Sequence, residues 1–192
     1  MRLLLGTIYC LSLAALIGLG LTWFALSHGI ALDALKIGAW TAQPKAGTAD
    51  VDPYARAEFE RGGWLPTGLG DGVAFIAKTD DKGRLLDGRC DVVVSGITPQ
   101  ARYFTLSLYD TAGKMLVNSV GRNGFTSQEL LRNSDGGFFV AVGPRARPGN
   151  WLPTSAVERY LLVLRLYDTP IGIATRTERE APMPSITTGP CS

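Results

Sequence analysis

The sequence predicts a mainly β protein, with a two-layer β structure behind one long apolar segment at its N-terminus. Residues 3–32 contain no Asp, Glu, Lys or Arg, which is typical of a membrane segment. Residues 160–168 alternate between two faces, which is typical of a strand. Gly makes up 23 of the 192 residues and helical periodicity is poor after the first third of the chain, so many short strands separated by turns are expected.

The apolar segment is predicted to be an uncleaved transmembrane helix that occupies residues 1–32. Residues 3–26 are almost wholly apolar, and about 20 helical residues suffice to cross the hydrocarbon core. The alternative is a cleaved signal peptide, because Ala25-Leu26-Ser27 can serve as a cleavage site. The apolar part of a signal peptide runs to roughly 7–15 residues, which is shorter than this segment, so the anchor is favoured.

The charges that flank the segment set its expected orientation. Arg2 and the free amine precede it, whereas Asp33 and Lys36 follow it. This balance favours a cytoplasmic N-terminus. The predicted location is therefore the inner (plasma) membrane, crossed once, with a periplasmic domain.

Residues 33–51 are predicted to form a juxtamembrane connector, since Pro, Gly, Ala and Thr dominate its later part. Within it, Trp40 is expected either to rest on the membrane interface or to tuck under the domain. The predicted domain covers residues 52–192 and opens with a short helix. Asp52 is a good N-cap residue for that helix, and Pro53 suits its first position.

Strand signals follow from about residue 65 onward. Alternating or continuous apolar runs between turn residues indicate strands at 73–79, 90–95, 102–109, 115–120 and 160–168. A hairpin is expected where Ser134-Asp135-Gly136-Gly137 separates the runs 129–133 and 138–142. The tail after Arg176 contains three prolines and is predicted to be irregular.

The run at 160–168 is the strongest strand signal in the chain. Leu162, Leu164 and Leu166 point to one face, which favours burial of that face. Arg165 lies on the other face, where a partly covered position in a central strand is expected. If Arg165 is buried, an Asp or Glu on a neighbouring strand would be its partner.

The phrase Leu-Tyr-Asp-Thr occurs twice, at 108–111 and at 166–169. Two core strands of similar composition explain this echo. The alternative is a duplicated β unit that brings Asp110 and Asp168 to one rim of the sandwich, where paired carboxylates can perform acid–base chemistry, including glycoside cleavage. A position at the start of a turn explains both residues without a site.

A disulfide is predicted between Cys90 and Cys191. The third cysteine, Cys10, lies in the apolar segment, so the domain holds two. Thiols of an extracytoplasmic domain can be oxidised. The bond would attach the Pro-rich tail to a core strand.

Several phrases of the chain resemble the bacterial family catalogued as domain of unknown function 1214. They are Asp52-Pro53-Tyr54-Ala55-Arg56-Ala57, Leu65-Pro66, Ala101-Arg102-Tyr103-Phe104, Leu108-Tyr109-Asp110, Asn118 with Arg122, Asn150-Trp151-Leu152-Pro153 and Leu164-Arg165-Leu166-Tyr167. The resemblance covers roughly residue 40 to the C-terminus. It implies a jelly-roll-like antiparallel β-sandwich and no settled reaction.

The residue types of the domain restrict its chemistry. The single histidine, His28, lies beside the apolar segment, so no His-based catalytic pair or metal site is expected in the domain. A net charge of +2 is too mild for a surface that tracks nucleic acid. We therefore expect no cofactor, no metal and no nucleic-acid partner.

The sequence favours a membrane-anchored envelope protein whose domain is a binding or assembly module, with no catalysis inferred. Membrane lipid is the expected partner of the helix, and an envelope protein or a glycan is a possible partner of the domain. The candidate binding residues are Arg122, Asn150, Trp151, Arg165, Tyr167 and Asp168. Trp151 can stack on a sugar ring or can instead plug the rim of the sandwich. The alternative function is an envelope enzyme that acts on a glycan or lipid through Asp, Glu and Arg.

Overall fold

A computed structural model of the chain describes residues 2–28, 34–62, 66, 68, 70–155, 157–171 and 181–191. Two helices and ten strands occupy these residues. The helices are α1 (Arg2–His28) and α2 (Pro53–Gly62). The strands are β1 (Leu35–Ile37), β2 (Trp40–Ala42), β3 (Gly72–Ala77), β4 (Cys90–Gly96), β5 (Tyr103–Tyr109), β6 (Gly124–Thr126), β7 (Phe138–Gly143), β8 (Asn150–Pro153), β9 (Leu161–Tyr167) and β10 (Ser185–Cys191).

Helix α1 contains 27 residues and is long and apolar enough to cross a membrane. Signal sequences can also meet this criterion of length and composition, so the uncleaved anchor stays a prediction. Helix α1 contacts α2. Residues 29–32, the last of the predicted anchor, lie outside the described residues.

The strands form two sheets that pack as a β-sandwich, which confirms the predicted fold class. The larger sheet has the order β1-β2-β3-β9-β5-β6, and the smaller has the order β10-β4-β7-β8. All neighbouring strands are antiparallel except β7 and β8, which are parallel. This strand order is compatible with a jelly roll.

Strand β9 lies between β3 and β5 in the larger sheet, as expected for a central strand. Leu162, Leu164 and Leu166 are fully buried on the face that meets the smaller sheet. The rings of Phe104 and Phe138 lie 5.9 Å apart and join the two sheets across this core. The predicted leucine face is therefore the centre of the sandwich.

Trp40 is tucked into the core and is 1% exposed, which is one of its two expected positions. It belongs to β2, and β2 and β1 extend the larger sheet beyond β3. Its indole Nε1 donates a 2.7 Å hydrogen bond to the carbonyl of Pro184. Two strands of the sheet thus come from the predicted connector, and the division of the chain into three segments stays a prediction.

Asp52 caps α2 as predicted. Its carboxylate oxygens accept hydrogen bonds from the backbone N–H groups of Tyr54 and Ala55, both at 3.3 Å. Pro53 occupies the first position of the helix. These contacts confirm the local signal for the start of the helix.

The predicted strand at 115–120 is wrong. Only Met115 forms a bridge, to Tyr109, because the edge of β5 pairs with β6 instead. Asn118 holds the following loop: its amide nitrogen donates to the carbonyl of Arg122 at 2.8 Å, and its amide oxygen accepts from the N–H of Val120 at 3.2 Å. Such side-chain bonds to the backbone compete with a sheet ladder.

The hairpin near residue 134 is shorter than predicted. Its turn is present, since the N–H of Asn133 donates to the carbonyl of Gly137 at 2.8 Å. The run 129–133 forms a single bridge, from Arg132 to Phe138, and not a strand. Only the second run becomes a strand, β7.

The prediction of an irregular tail is wrong for residues 185–191, which form β10 against β4. The prolines favour an irregular tail, but proline is also compatible with an edge strand, and β10 is the edge of its sheet. The pairing register shifts between Thr188 and Cys191, and Pro190 lies within that irregularity. Residues 172–180 of the tail lie outside the described residues.

The predicted disulfide joins Cys90 to Cys191, which are 101 residues apart in sequence. The two residues are also partners in the β4–β10 ladder. The bond closes a loop of about 100 residues, and the loss of such a bond typically destabilises a domain by about 2–5 kcal/mol. It fixes the end of β10 to a core strand.

We expect the double substitution Cys90→Ser and Cys191→Ser to lower the free energy of unfolding by about 2–5 kcal/mol, because the unfolded chain regains its freedom. Chemical denaturation of the oxidised parent and of the variant measures the difference. Cys10→Ser is the matched control and should unfold like the parent. Equal stability of parent and double variant would show that the bond is absent from the purified protein.

Candidate functional site

The two carboxylates that were considered as a catalytic pair lie far apart. Strands β5 and β9 are antiparallel, with Tyr103 opposite Tyr167 and Tyr109 opposite Leu161. Asp110 and Asp168 therefore follow opposite ends of the ladder, and those two ends are about 20 Å apart at the usual rise per residue. The duplicated arrangement with both Asp residues at one rim is wrong.

Asp110 starts a turn, as its position predicts. Its Oδ1 accepts hydrogen bonds from the backbone N–H groups of Ala112 at 2.9 Å and Lys114 at 2.8 Å. Asp168 adopts a left-handed conformation with φ of 49° after β9. Its carboxylate lies 3.7 Å from the guanidinium of Arg102, and both side chains are exposed, so this pair contributes little to stability.

Asn150 supports the backbone of its neighbours. It is buried, and its Oδ1 accepts a 2.9 Å bond from the N–H of Leu131. Its Nδ2 donates to the carbonyls of Leu131 at 2.8 Å and Phe139 at 2.9 Å. The side-chain amide thus links the loop at Leu131 to β7, and the three hydrogen bonds use both its oxygen and its nitrogen.

Trp151 is half-buried at the start of β8. Its indole Nε1 donates a 3.1 Å hydrogen bond to the carbonyl of Gly143, at the end of β7. The side of the indole ring that carries the N–H therefore points towards the protein. This contact fixes the indole against the end of β7, and both the stacking role and the plugging role of Trp151 stay predictions.

Arg165 pairs with a phenol and not with the carboxylate that was expected. Its Nη1 donates a 2.8 Å hydrogen bond to the hydroxyl of Tyr109, and its guanidinium carbon lies 5.1 Å from the centre of that ring. In the strand register, Val163 and Ser107 lie between the two residues on the outer face. Both are buried, so we infer that the Arg165–Tyr109 pair covers them.

The other two candidate binding residues make ring contacts. The guanidinium of Arg122 lies 5.5 Å from the centre of the Phe125 ring. The ring of Tyr167 lies 5.9 Å from that of Tyr103. The six predicted residues are distributed over several elements, and their binding roles stay predictions.

The carboxyl groups with clearly lowered pKa belong to turns. The side chain of Arg89 donates to Asp87 at 2.6 Å and holds the pKa of that carboxyl at about 2. Burial alone would raise the pKa of Asp80, but hydrogen bonds from Arg84 and from the N–H of Lys82 lower it. Both residues stabilise the segment between β3 and β4. No group of His, Cys, Asp and Glu within the described ranges could hold a metal ion.

A cleft lies between α2 and the outer face of the larger sheet and has a volume of about 380 Å³. We call it the α2 cleft. Its lining comprises Ala34, Lys36, Ala39, Thr41, Gln43, Glu58, Phe59, Ile76, Lys78, Thr79, Thr111 and Leu161. A volume of this order is typical of small-molecule sites, which are mostly apolar with a few placed polar groups.

The strand register explains why these residues meet. Lys36 is opposite Thr41, and Thr41 is opposite Ile76, so these three side chains form one row on the outer face. Lys78 follows β3, two residues after Ile76, and points to the same face. Phe59 and its neighbour Glu58 contribute the helical side of the cleft.

Sequence reasoning missed the α2 cleft. Its lining comes from five separate parts of the chain. The pairing of β1 with β2, of β2 with β3 and of β3 with β9 brings the strand residues among them together. The only available signal was the charge of Lys36 after the apolar segment, which served to predict the orientation of the helix. The polar side chains of this cleft are Lys36, Lys78, Glu58, Thr41, Gln43, Thr79 and Thr111.

The fold and this cleft define a class: a two-sheet β-sandwich domain that follows a helix of membrane-spanning length and carries a small-molecule-sized cleft. The chain belongs to the family described as protein of unknown function (DUF1214), whose sequence pattern matches residues 71–171. The family expected from the motifs is therefore confirmed. The motif pieces before residue 71 lie outside the matched segment.

Two solved structures resemble this chain. The crystal structure of the VPA0106 protein from Vibrio parahaemolyticus matches with a TM-score of 0.58 and 20% identity, over 73% of this chain and 36% of that chain. An uncharacterized protein from Burkholderia cenocepacia matches with a TM-score of 0.45 and 18% identity, over 93% of this chain and 52% of that one.

The likeness to the Vibrio protein shows the fold alone, and the chain spans about a third of that protein's length. The Burkholderia likeness is too weak to carry an argument. No curated protein matches the chain.

We expect Asn150→Asp to lower the free energy of unfolding by about 2–4 kcal/mol, because a carboxylate would face two backbone carbonyls without a donor. Urea denaturation at neutral pH measures the change. Asn133→Asp, at an exposed position of the nearby turn, is the control and should change stability by less than about 0.5 kcal/mol. Equal effects of the two substitutions would contradict the bracing role of Asn150.

We expect Arg165→Ala to destabilise the domain by about 1–2 kcal/mol, because it removes the cation–π contact and uncovers Val163 and Ser107. Thermal melts of the parent and the variant check this. Arg102→Ala removes the same charge from an exposed pair and should leave the melt nearly unchanged. A parent-like melt for Arg165→Ala would refute the covering role.

Proposed function

We propose that the protein is a single-pass protein of the plasma membrane that holds a β-sandwich binding or assembly module in the periplasm. In this proposal α1 remains attached, and the N-terminus lies in the cytoplasm. The partners are membrane lipid along α1 and, at the domain, an envelope protein or a glycan. No catalytic step is proposed.

The Cys90–Cys191 bond is the observation that carries the proposal. Disulfides form and persist in oxidising compartments and are rare in the cytosol. The bond joins adjacent strands of the folded domain, so it belongs to the native fold. Together with a helix that is long and apolar enough to cross a membrane, it favours an anchored domain outside the cytoplasm.

Three of the predicted binding residues already use their polar atoms in contacts within the domain. Asn150 and Trp151 donate to backbone carbonyls, and Arg165 donates to Tyr109. A ligand would have to break these contacts to use the same atoms. The α2 cleft is instead an open concavity, and we propose it as the binding region of the module.

We expect a reporter enzyme that folds only in an oxidising compartment to be active when it is fused to the C-terminus of the full chain. Mass spectrometry of the mature protein should also find the N-terminus intact. A fluorescent protein that matures only in the cytoplasm serves as the reciprocal fusion and should stay dark. Activity of the reciprocal fusion alone would refute the topology, and a mature N-terminus near His28 would refute the anchor.

A further inference from the structure

We propose that the α2 cleft binds the phosphate headgroup of an anionic phospholipid, with the first carbons of an acyl chain against its apolar wall. This inference rests on the proposed membrane anchoring, and it adds a ligand class and a binding position for the domain.

Two lysines provide the phosphate-binding groups. Lys36 lies on β1, and Lys78 follows β3, two strands away on the same outer face. Sheet spacing and rise per residue place their Cα atoms about 12 Å apart, so both ammonium groups can reach a phosphate between them. Both side chains are exposed, and neither forms an ion pair with any residue that the structure describes.

The apolar part of the cleft suits hydrocarbon. Phe59 of α2 faces the sheet, where Ile76 and the buried Leu161 form the opposite wall. Both Phe59 and Ile76 are partly exposed, so a bound chain would remove their remaining surface from water. Removing methylene groups from water is favourable, which makes an amphiphile a better occupant than a free anion.

The charges around the cleft favour one negative group without a compensating amine. Lys36 and Lys78 contribute two positive charges, and Glu58 contributes one negative charge. The remaining positive charge matches a headgroup such as that of phosphatidylglycerol, which carries one phosphodiester charge. A choline headgroup is less complementary because its phosphate is already neutralised.

The position of the cleft favours a lipid over a soluble phosphate ester. Ala34, the first residue described after α1, lies on its wall. Helix α1 contacts α2, and its half-buried residues, Ala25 and Leu26, lie near its C-terminal end. If α1 spans the membrane, the cleft stands beside the headgroup layer. Tethering raises the effective ligand concentration to the millimolar range, so even a weak site would be occupied.

The test uses the full-length protein purified in mixed micelles of equal phosphatidylglycerol and phosphatidylcholine. Native mass spectrometry counts the lipids that each variant retains. We expect selective retention of phosphatidylglycerol by the parent. The double substitution Lys36→Ala and Lys78→Ala should reduce it at least about tenfold, since it removes both charge-assisted hydrogen bonds to the phosphate.

The matched control is Lys82→Ala with Lys114→Ala, which removes the same charge from exposed turns outside the cleft and should retain the lipid like the parent. Equal loss in both double variants would indicate a non-specific charge effect and overturn the proposal. So would equal retention of phosphatidylcholine by the parent.

A competition arm adds the acyl-free headgroup glycerophosphoglycerol. Little displacement of the lipid is expected. Displacement at equal concentration would identify a soluble phosphate ester as the ligand and overturn the lipid proposal. The micelle experiment does not depend on topology, so a cytoplasmic domain in the cell would contradict the proposed function while leaving this result unchanged.

Discussion

Burial of the leucine face of β9 is the constraint on which the rest of the sandwich depends. Leu162, Leu164 and Leu166 are fully buried, and removing each from water contributes about 2 kcal/mol. A face of this kind must be covered by a second layer. The smaller sheet supplies that layer, and β3 and β5 satisfy the backbone of β9 on both sides. A polar residue at any of these three positions would weaken the contact between the layers.

Long-range contacts then close the structure around this core. The indole of Trp40 donates to the carbonyl of Pro184, and the Cys90–Cys191 bond fixes the opposite end of β10 to β4. The first strands of the domain and its last strand are thereby held to the same core. This explains how a Pro-containing tail can serve as an ordered edge strand, because its missing N–H donors do not interrupt a central ladder.

The residues that look functional in the sequence differ from those that line the cleft in the structure. Asn150 and Arg165 brace their surroundings through buried or half-buried hydrogen bonds. Asn and Arg are common in binding sites, which is why these two residues are candidates by residue type. By contrast, Lys36 is only a flanking charge in the sequence and Lys78 is part of no motif, yet both line an open cleft. A side chain's residue type therefore says less about its role than the groups that face it.

The sequence by itself determined the features that short stretches encode. The alternation in β9, the Asp52 cap of α2, the turn at Asp110 and the length of α1 follow from periodicity and local bonding. The disulfide was also predictable, because only two cysteines remain once Cys10 is assigned to the apolar segment.

Only the tertiary structure decided which strands are neighbours and which segments remain unpaired. The run 115–120 has the apolar content of a strand but is a loop, because β6 occupies the edge that it would need. The antiparallel pairing of β5 and β9 separated Asp110 from Asp168. The α2 cleft exists because β1 and β2 extend the larger sheet, and α2 lies over the outer face of that sheet. Local sequence carries no record of these outcomes, since each depends on competition among distant segments for the same sheet edges.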